Sequence, residues 1–365
     1  MKKLLILSLC LSFFTCNSQR GTVTTHGEPV QWLTFNGDDN GKHIVFISGD
    51  EEYRSEEALP QFAKILSHRH GFNCTVLFAQ NPEKPGIVNA NYKNNIPGLE
   101  TLEKANIMVI MTRFQALPDD QMQYIDNYLK TGKPVMGIRT ATHAFNFDKD
   151  SESNFIHYSN GYNGDKSVWK GGFGRLILGE KWISHHGRHK HQSSHGIVAP
   201  GAKSHPITNG IEDGNVWGST DVYEVRLPLP GDSQSIILGQ VMNRKGEYDE
   251  DDIFYGMKPT DDDVATTNEK GQNLNNPMMP ISWIKSYQVP GGKKGKAFTT
   301  TVGSSNDMLI EGTRRLLVNA TFWSLDLDVP LKANVDLVDH YTPTTYEFRK
   351  DEYWDKRQLK VEDFK

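Results

Sequence analysis

Between His43 and Thr140 four short apolar runs alternate with segments of helical pattern. The runs are His43-Ile44-Val45-Phe46-Ile47-Ser48-Gly49, Asn73 to Ala79, Asn106 to Thr112 and Pro134 to Thr140. Each is apolar nearly throughout instead of alternating, the pattern of a strand buried on both faces. Such strands belong to parallel sheets whose crossovers are helices. Ser55-Glu56-Glu57 opens one helix, with Leu59, Phe62, Ile65 and Leu66 on its apolar stripe. Leu99 to Ala105 is a shorter one, and Asp119 to Leu129 is a third, stopped by Gly132. Right-handed crossovers turn this alternation into a doubly wound, mainly parallel α/β sheet with predicted strand order 2-1-3-4.

On such sheets ligands bind outside the carboxyl ends of the strands. Here those ends carry Asp50-Glu51-Glu52-Tyr53-Arg54, Thr112-Arg113 and Arg139-Thr140-Ala141-Thr142-His143. The sheet is expected to gather them on one rim. His143 is the candidate base, and Glu52 is a second catalytic candidate, a carboxylate partner beside a metal held by histidines of segment 185–191. Asp50, Glu51, Tyr53, Arg113, Arg139 and Thr142 are candidate substrate contacts. The plainer readings are that His143 bonds to backbone and that Arg139 is an ion-pair partner of Glu51 or Glu52. Trp217 is a candidate stacking residue, as are Tyr223 and Trp169, although most aromatics are core mass.

Five of the 13 histidines fall within eleven residues: His185, His186, His189, His191 and His195. Gly187, Ser193, Ser194 and Gly196 break the segment, so it reads as a loop. Imidazole is the commonest protein metal ligand. His185, His186, His189 and His191 are therefore candidate ligands for zinc or a similar divalent ion. The alternative is a solvated polar loop, because a His-rich tract is compositional evidence only.

The second half is less regular. Ser235 to Val241, Pro280 to Trp283 and Lys296 to Val302 are strand-like, and Glu311 to Leu325 is helical. Residues 244–277 form an acidic insertion that reads as a solvated surface loop and lacks calcium-loop spacing. Residues 329–365 are expected to pack on the domain, which spans 42–328. A net charge of −5 is not that of a nucleic-acid binder. No nucleotide cofactor is expected.

Met1-Lys2-Lys3 followed by the apolar run Leu4 to Phe14 reads as a signal peptide over 1–19, and Thr15-Cys16 resembles a lipobox. The expectation is an exported protein, periplasmic or on the outer membrane, held by a lipid on Cys16 and otherwise free of the bilayer. Residues 20–41 would be a tether. Of three cysteines, Cys10 and Cys16 lie in the leader, and Cys74, in the run CTVLF, reads as a core thiol.

Six strings occur in order: HIVFISGDEEYRSEE, MTRFQALPDDQM, GKPVMGIRTATHAF, GGFGRLILGEKWISHHG, SHPITNGI and RRLLVNATFWSL. Together they resemble the ThuA-like (trehalose utilisation) family, in its secreted branch. The resemblance implies a flavodoxin-like, class I glutamine amidotransferase-like fold whose nucleophile has been lost. No Gly-x-Ser-x-Gly or Gly-x-Cys-x-Gly is present, and at the expected elbow stand Thr142 and His143. The resemblance also implies carbohydrate metabolism. On that footing the chain is expected to act on a sugar or keto-sugar by metal- or His-assisted acid/base chemistry, as a hydrolase, lyase or isomerase and not as a Cys-dependent amidotransferase. A non-catalytic carbohydrate- or partner-binding module and a metal-dependent hydrolase of another substrate class stand as alternatives. A homo-oligomer is compatible with all three.

Overall fold

The computed structural model describes residues 21–38 and 40–365, so the expected leader and Cys16 lie outside the described residues. Twelve strands form one mixed sheet. They are β1 (Thr22–His26), β2 (Trp32–Asn36), β3 (His43–Gly49), β4 (Asn73–Phe78), β5 (Ile107–Thr112), β6 (Val135–Ile138), β7 (Gln192–Val198), β8 (Trp217–Gly218), β9 (Gln234–Asn243), β10 (Asp263–Val264), β11 (Met279–Tyr287) and β12 (Gly295–Thr300). The helices are α1 (Ser55–His70), α2 (Asp119–Lys130), α3 (Glu311–Ser324) and the short α4 (Asp351–Arg357).

The sheet order is β1-β2-β4-β3-β5-β6-β12-β11-β9-β7-β8, with β10 on β9. Its centre, β4-β3-β5-β6-β12, is parallel. The predicted order 2-1-3-4 is the stretch β4-β3-β5-β6. Antiparallel strands extend both sides of this centre.

The two-residue period of the strands sorts the core into two layers. Ile44 and Phe46 of β3 join Leu59 and Phe62 of α1 and Leu316 and Leu317 of α3. Val45 and Ile47 point the other way and meet Met122, Ile125 and Leu129 of α2. Burying each such side chain contributes about 1.5–3 kcal/mol. Truncating one, Phe62→Ala for example, costs roughly 3–5 kcal/mol through transfer and cavity together. α1 ends because Gly71 takes a left-handed conformation, φ 73°, and the Gly71 and Phe72 N–H groups close on Ser67 and Leu66.

Of the expected tether, the described residues 21–38 instead belong to the sheet. β1 and β2 form a hairpin whose second strand pairs antiparallel with β4. Leu33 and Phe35 alternate inward there, and the hairpin covers what would be a naked edge of the parallel sheet. Nor is the whole His-rich segment a loop: from Gln192 it is β7, and His195 is buried on it. In the acidic insertion most carboxylates are exposed, while Tyr255, Met257, Ala265 and Leu274 are buried and pin it down.

Residues 331–365 strap α1 along its length, from His70 and Arg69 at its C-terminal end to Arg54 and Glu57 at its start. Arg54 donates to the carbonyls of Thr345 and Glu347, and Glu57 receives Thr344 N–H at 2.8 Å and Arg357 at 2.9 Å. Trp354 is buried beside Arg54, 5.2 Å from ring centroid to guanidinium. No helix among the described residues is long and apolar enough to cross a membrane.

Candidate functional site

Three strand ends meet as the parallel centre requires. After β3, Asp50 folds the chain back on itself: its Oδ1 accepts the N–H of Glu52 at 2.8 Å and of Tyr53 at 3.1 Å. Its Oδ2 accepts the Thr140 hydroxyl at 2.6 Å, stitching the end of β3 to the end of β6. Burial and the neighbouring Glu51 push the Asp50 carboxyl upward. The turn then passes through Arg54 in the left-handed region, φ 58°, into α1.

After β5, Arg113 binds Glu51 at 2.6 Å, and Lys93 binds the other Glu51 oxygen at 2.5 Å. Glu52 lies 3.7 Å from the Arg113 Nε. The Arg113 guanidinium is sandwiched between Phe114 at 4.6 Å and Phe348 of the C-terminal strap at 4.7 Å.

After β6 the bend is made by Arg139, φ 48°, and not by Thr142 or His143, which lie further along the following turn. The strained strand-to-turn position that presents a nucleophile in elbow enzymes is thus filled by a guanidinium. Arg139 is fully buried between the rings of Tyr53 at 4.4 Å and Tyr223 at 3.9 Å. It donates to the Tyr53 hydroxyl at 2.9 Å, to Asp221 Oδ1 at 3.0 Å and to the carbonyls of Asp221 and Thr301 at 2.8 and 2.5 Å. Its partner is therefore Asp221 and neither Glu51 nor Glu52.

Asp221 is the centre of the site. Ser184 to Gly187 run beside Val222 to Glu224: His186 and Gly187 N–H both bond Val222 O, and Glu224 N–H bonds Ser184 O. That pairing carries the histidine loop past Asp221. His185 Nδ1 lies 2.7 Å from Asp221 Oδ2, and His189 Nδ1 lies 3.1 Å from Oδ1. His189 Nε2 is 3.4 Å from Glu52 Oε1, which joins this half of the site to the strand ends. Burial would raise the Asp221 carboxyl, but His185, His189 and Arg139 outweigh it and hold the group well below the usual carboxylate range. Burial pulls His185 down, yet its hydrogen bond to Asp221 wins and raises it. For Glu52, burial and the nearby Asp50 outweigh the arginines and push the carboxyl up to about 7.

His143 belongs to the same cleft. Its ring lies 5.5 Å from Trp182 and 6.1 Å from Tyr223, and His185 touches the same two rings at 5.9 Å each. Thr142 Oγ1 meets His143 Nδ1 at 3.1 Å. Burial, with Arg113 and Arg139 close by, lowers the His143 imidazole well below its ordinary range and keeps it neutral.

His185, His189 and Asp221 each offer a ligand atom, and these atoms lie within 4.8 Å of one another. Two imidazole nitrogens and a carboxylate suit zinc or another first-row divalent ion with open positions left for substrate. His185, with 40% of its side chain exposed, is the open side. The other two predicted ligands are elsewhere. His186 faces away and its Nε2 meets Leu274 O at 3.1 Å. His191 stacks on Tyr248 at 5.4 Å and touches Arg244. Trp217 is no substrate contact: it is fully buried in the core, edge-on to Phe254 at 5.0 Å. Asp221, Trp182, Lys93, Tyr346 and Phe348 are site residues that sequence reasoning did not single out. Tyr346 packs against Tyr53 at 5.2 Å and His189 at 5.5 Å.

No family model matches the chain, and no curated protein matches it. Among solved structures it is similar to that of a protein described as ThuA-like from Parabacteroides merdae, at 14% identity and a TM-score of 0.44, over 85% of this chain and 98% of that one. A second, described in the same way from Bacteroides uniformis, shares 15% identity with a TM-score of 0.41, over 78% of this chain and 91% of that one. An exo-β-1,4-mannosidase from an Opitutaceae bacterium matches at 8% identity and a TM-score of 0.26, over 78% of this chain and 35% of that one.

Proposed function

We propose that the cleft at the strand ends is a metal-assisted acid–base site acting on a sugar or keto-sugar. The observation that carries this reading is the convergence of His185, His189 and Asp221 within 4.8 Å, beside the carboxylate of Glu52. His185, His189 and Asp221 would hold the ion, which would supply a Lewis acid to polarise a carbonyl oxygen. Glu52 is the base that takes a proton from the carbon next to that carbonyl, since it is held at the cleft by Arg113 and His189. His143 is a weaker base than the sequence suggested, because cations around a buried imidazole reduce its basicity. Its neutral ring suits a hydrogen bond to a substrate oxygen instead. Arg139, saturated by Tyr53, Asp221 and two carbonyls, fixes Asp221 in place.

The sugar class is supported by the ordered strings that resemble the ThuA-like family. Export and lipid attachment at Cys16 belong to the same reading, supported by the apolar run Leu4 to Phe14 and by Thr15-Cys16. A lipidated N-terminal peptide in the membrane fraction, seen by mass spectrometry, is the expected result. A soluble product that begins beyond residue 16 excludes it.

The site itself is tested by calorimetric titration of metal-stripped protein with zinc, manganese and iron(II). The expected result is one ion per chain, with uptake lost in His185→Ala and Asp221→Asn and kept in His191→Ala. No uptake at micromolar metal removes the metal centre.

A further inference from the structure

A cavity of about 410 Å³ opens on the outer side of the histidine loop. His185 and His189 form its inner end, and the hairpin around Thr267–Lys270 forms its opposite wall. Its size lies within the span of small-molecule sites. The wall is built to stay in place. Asn268 Oδ1 accepts the N–H of Lys270 and of Gln272, both at 3.0 Å, which shapes the tip. At the base Asn275 exchanges hydrogen bonds with Val241 and donates to Ala265 O, and Leu274 is fully buried. The Leu274 carbonyl meets His186 Nε2 at 3.1 Å, so the hairpin and the histidine loop are tied together.

The unpaired cations of the lining point to a ligand of negative charge. Arg188 reaches the cavity from the histidine loop and Lys270 from the hairpin, and neither side chain has a hydrogen bond or ion pair among the described residues. Glu269 is the one carboxylate in the lining. His186 is 3% exposed, and with Nε2 donating to Leu274 O its Nδ1 is a lone-pair acceptor that is buried and without a partner. That nitrogen has no surface open to the cavity, so the ligand contacts come from Arg188 and Lys270.

We propose that this cavity binds an anionic polyol, a sugar bearing a carboxylate or a phosphate. Arg188 and Lys270 take the charged group. The proposal rests on the reading of His185, His189 and Asp221 as the reacting centre, because the cavity would hold the part of the substrate that does not react.

The test is calorimetric titration of the mature protein with glucuronate, glucose 6-phosphate, glucose and inorganic phosphate. Glucuronate or glucose 6-phosphate should bind about tenfold or more tightly than glucose, the size of a charge-assisted hydrogen bond. Which of the two binds tells whether the acid is a carboxylate or a phosphate. The preference should shrink at high salt. It should also shrink in Arg188→Gln/Lys270→Gln, both exposed positions whose replacement leaves the fold intact by circular dichroism. Equal binding of glucose and both acids overturns the proposal, as does a preference unchanged in the double variant. Inorganic phosphate binding as tightly as glucose 6-phosphate removes the polyol. Metal uptake measured on the same samples keeps the two readings apart. Uptake without an acid preference defeats this proposal alone, and an acid preference without uptake defeats the metal centre alone.

Discussion

Arg139–Asp221 and Arg113–Glu51 are both arginine–carboxylate pairs at the end of the parallel sheet, and they stand on either side of the 50–54 turn. The first is sealed, with no exposure of either side chain. The second lies at the solvent edge, with 20% and 10% of the side chains exposed. In the sealed pair the guanidinium is committed to a hydroxyl, a carboxylate and two carbonyls. In the open pair Glu51 is shared between Arg113 and Lys93, and the Arg113 Nε makes no hydrogen bond, with Glu52 3.7 Å away. A ligand can recruit Arg113 without unmaking the fold, but it cannot recruit Arg139. On the proposed function, the sealed pair is a positioning device for Asp221, and the open pair is the one free to meet a substrate.

The largest effect should come from breaking the sealed pair. Arg139→Leu leaves the Asp221 charge buried without its main cation, and loss of one partner of a buried pair costs about 3–5 kcal/mol. Urea unfolding checks this. A loss below about 1 kcal/mol would show that His185 and His189 alone can hold Asp221, and the two pairs would then not differ in kind. By contrast Arg113→Gln should cost less than Arg139→Leu, because Lys93 still pairs with Glu51. It should weaken binding of any substrate found for the cleft. Full affinity in that variant would reduce the open pair to a surface ornament.

The same contrast shows what was legible in the sequence. The strand ends could be read because each apolar run stops abruptly at polar residues, and a parallel sheet must bring such ends to one rim. Asp221 could not be read. It follows β8, only two residues long, in the antiparallel half, where no sustained period marks its place. The histidines were half legible. Five within eleven residues announce chemistry, but the choice among them is made by the pairing of Ser184 to Gly187 with Val222 to Glu224. Residues along an extended segment alternate sides, so His185 meets Asp221 while His186 turns to Leu274. The hairpin at 22–36 was hidden by its polar content, since only Leu33 and Phe35 report the buried face.

A third arginine–carboxylate pair is buried yet poorly matched. Arg54 and Glu56 approach only to 3.8 Å, and both Glu56 oxygens are buried with no hydrogen-bond partner. Burial outweighs the attraction of Arg54 and pushes the Glu56 carboxyl up to about 7. In the unfolded chain the same group titrates near 4.5. A carboxyl raised on folding binds its proton more tightly in the native state, so its contribution to stability is complete below pH 4.5 and is lost as pH rises through about 7. Glu56→Gln keeps the neutral form at every pH. The difference in unfolding free energy between the variant and the parent should therefore move in favour of the variant as pH goes from 5 to 8, with most of the change complete once the parent's carboxyl has ionised. Parallel stability curves over that interval would mean that Arg54 compensates the buried charge despite the long contact. The pair would then belong with the sealed Arg139–Asp221 pair, and hydrogen bonding would not be what separates a buried pair that holds its charge from one that sheds it.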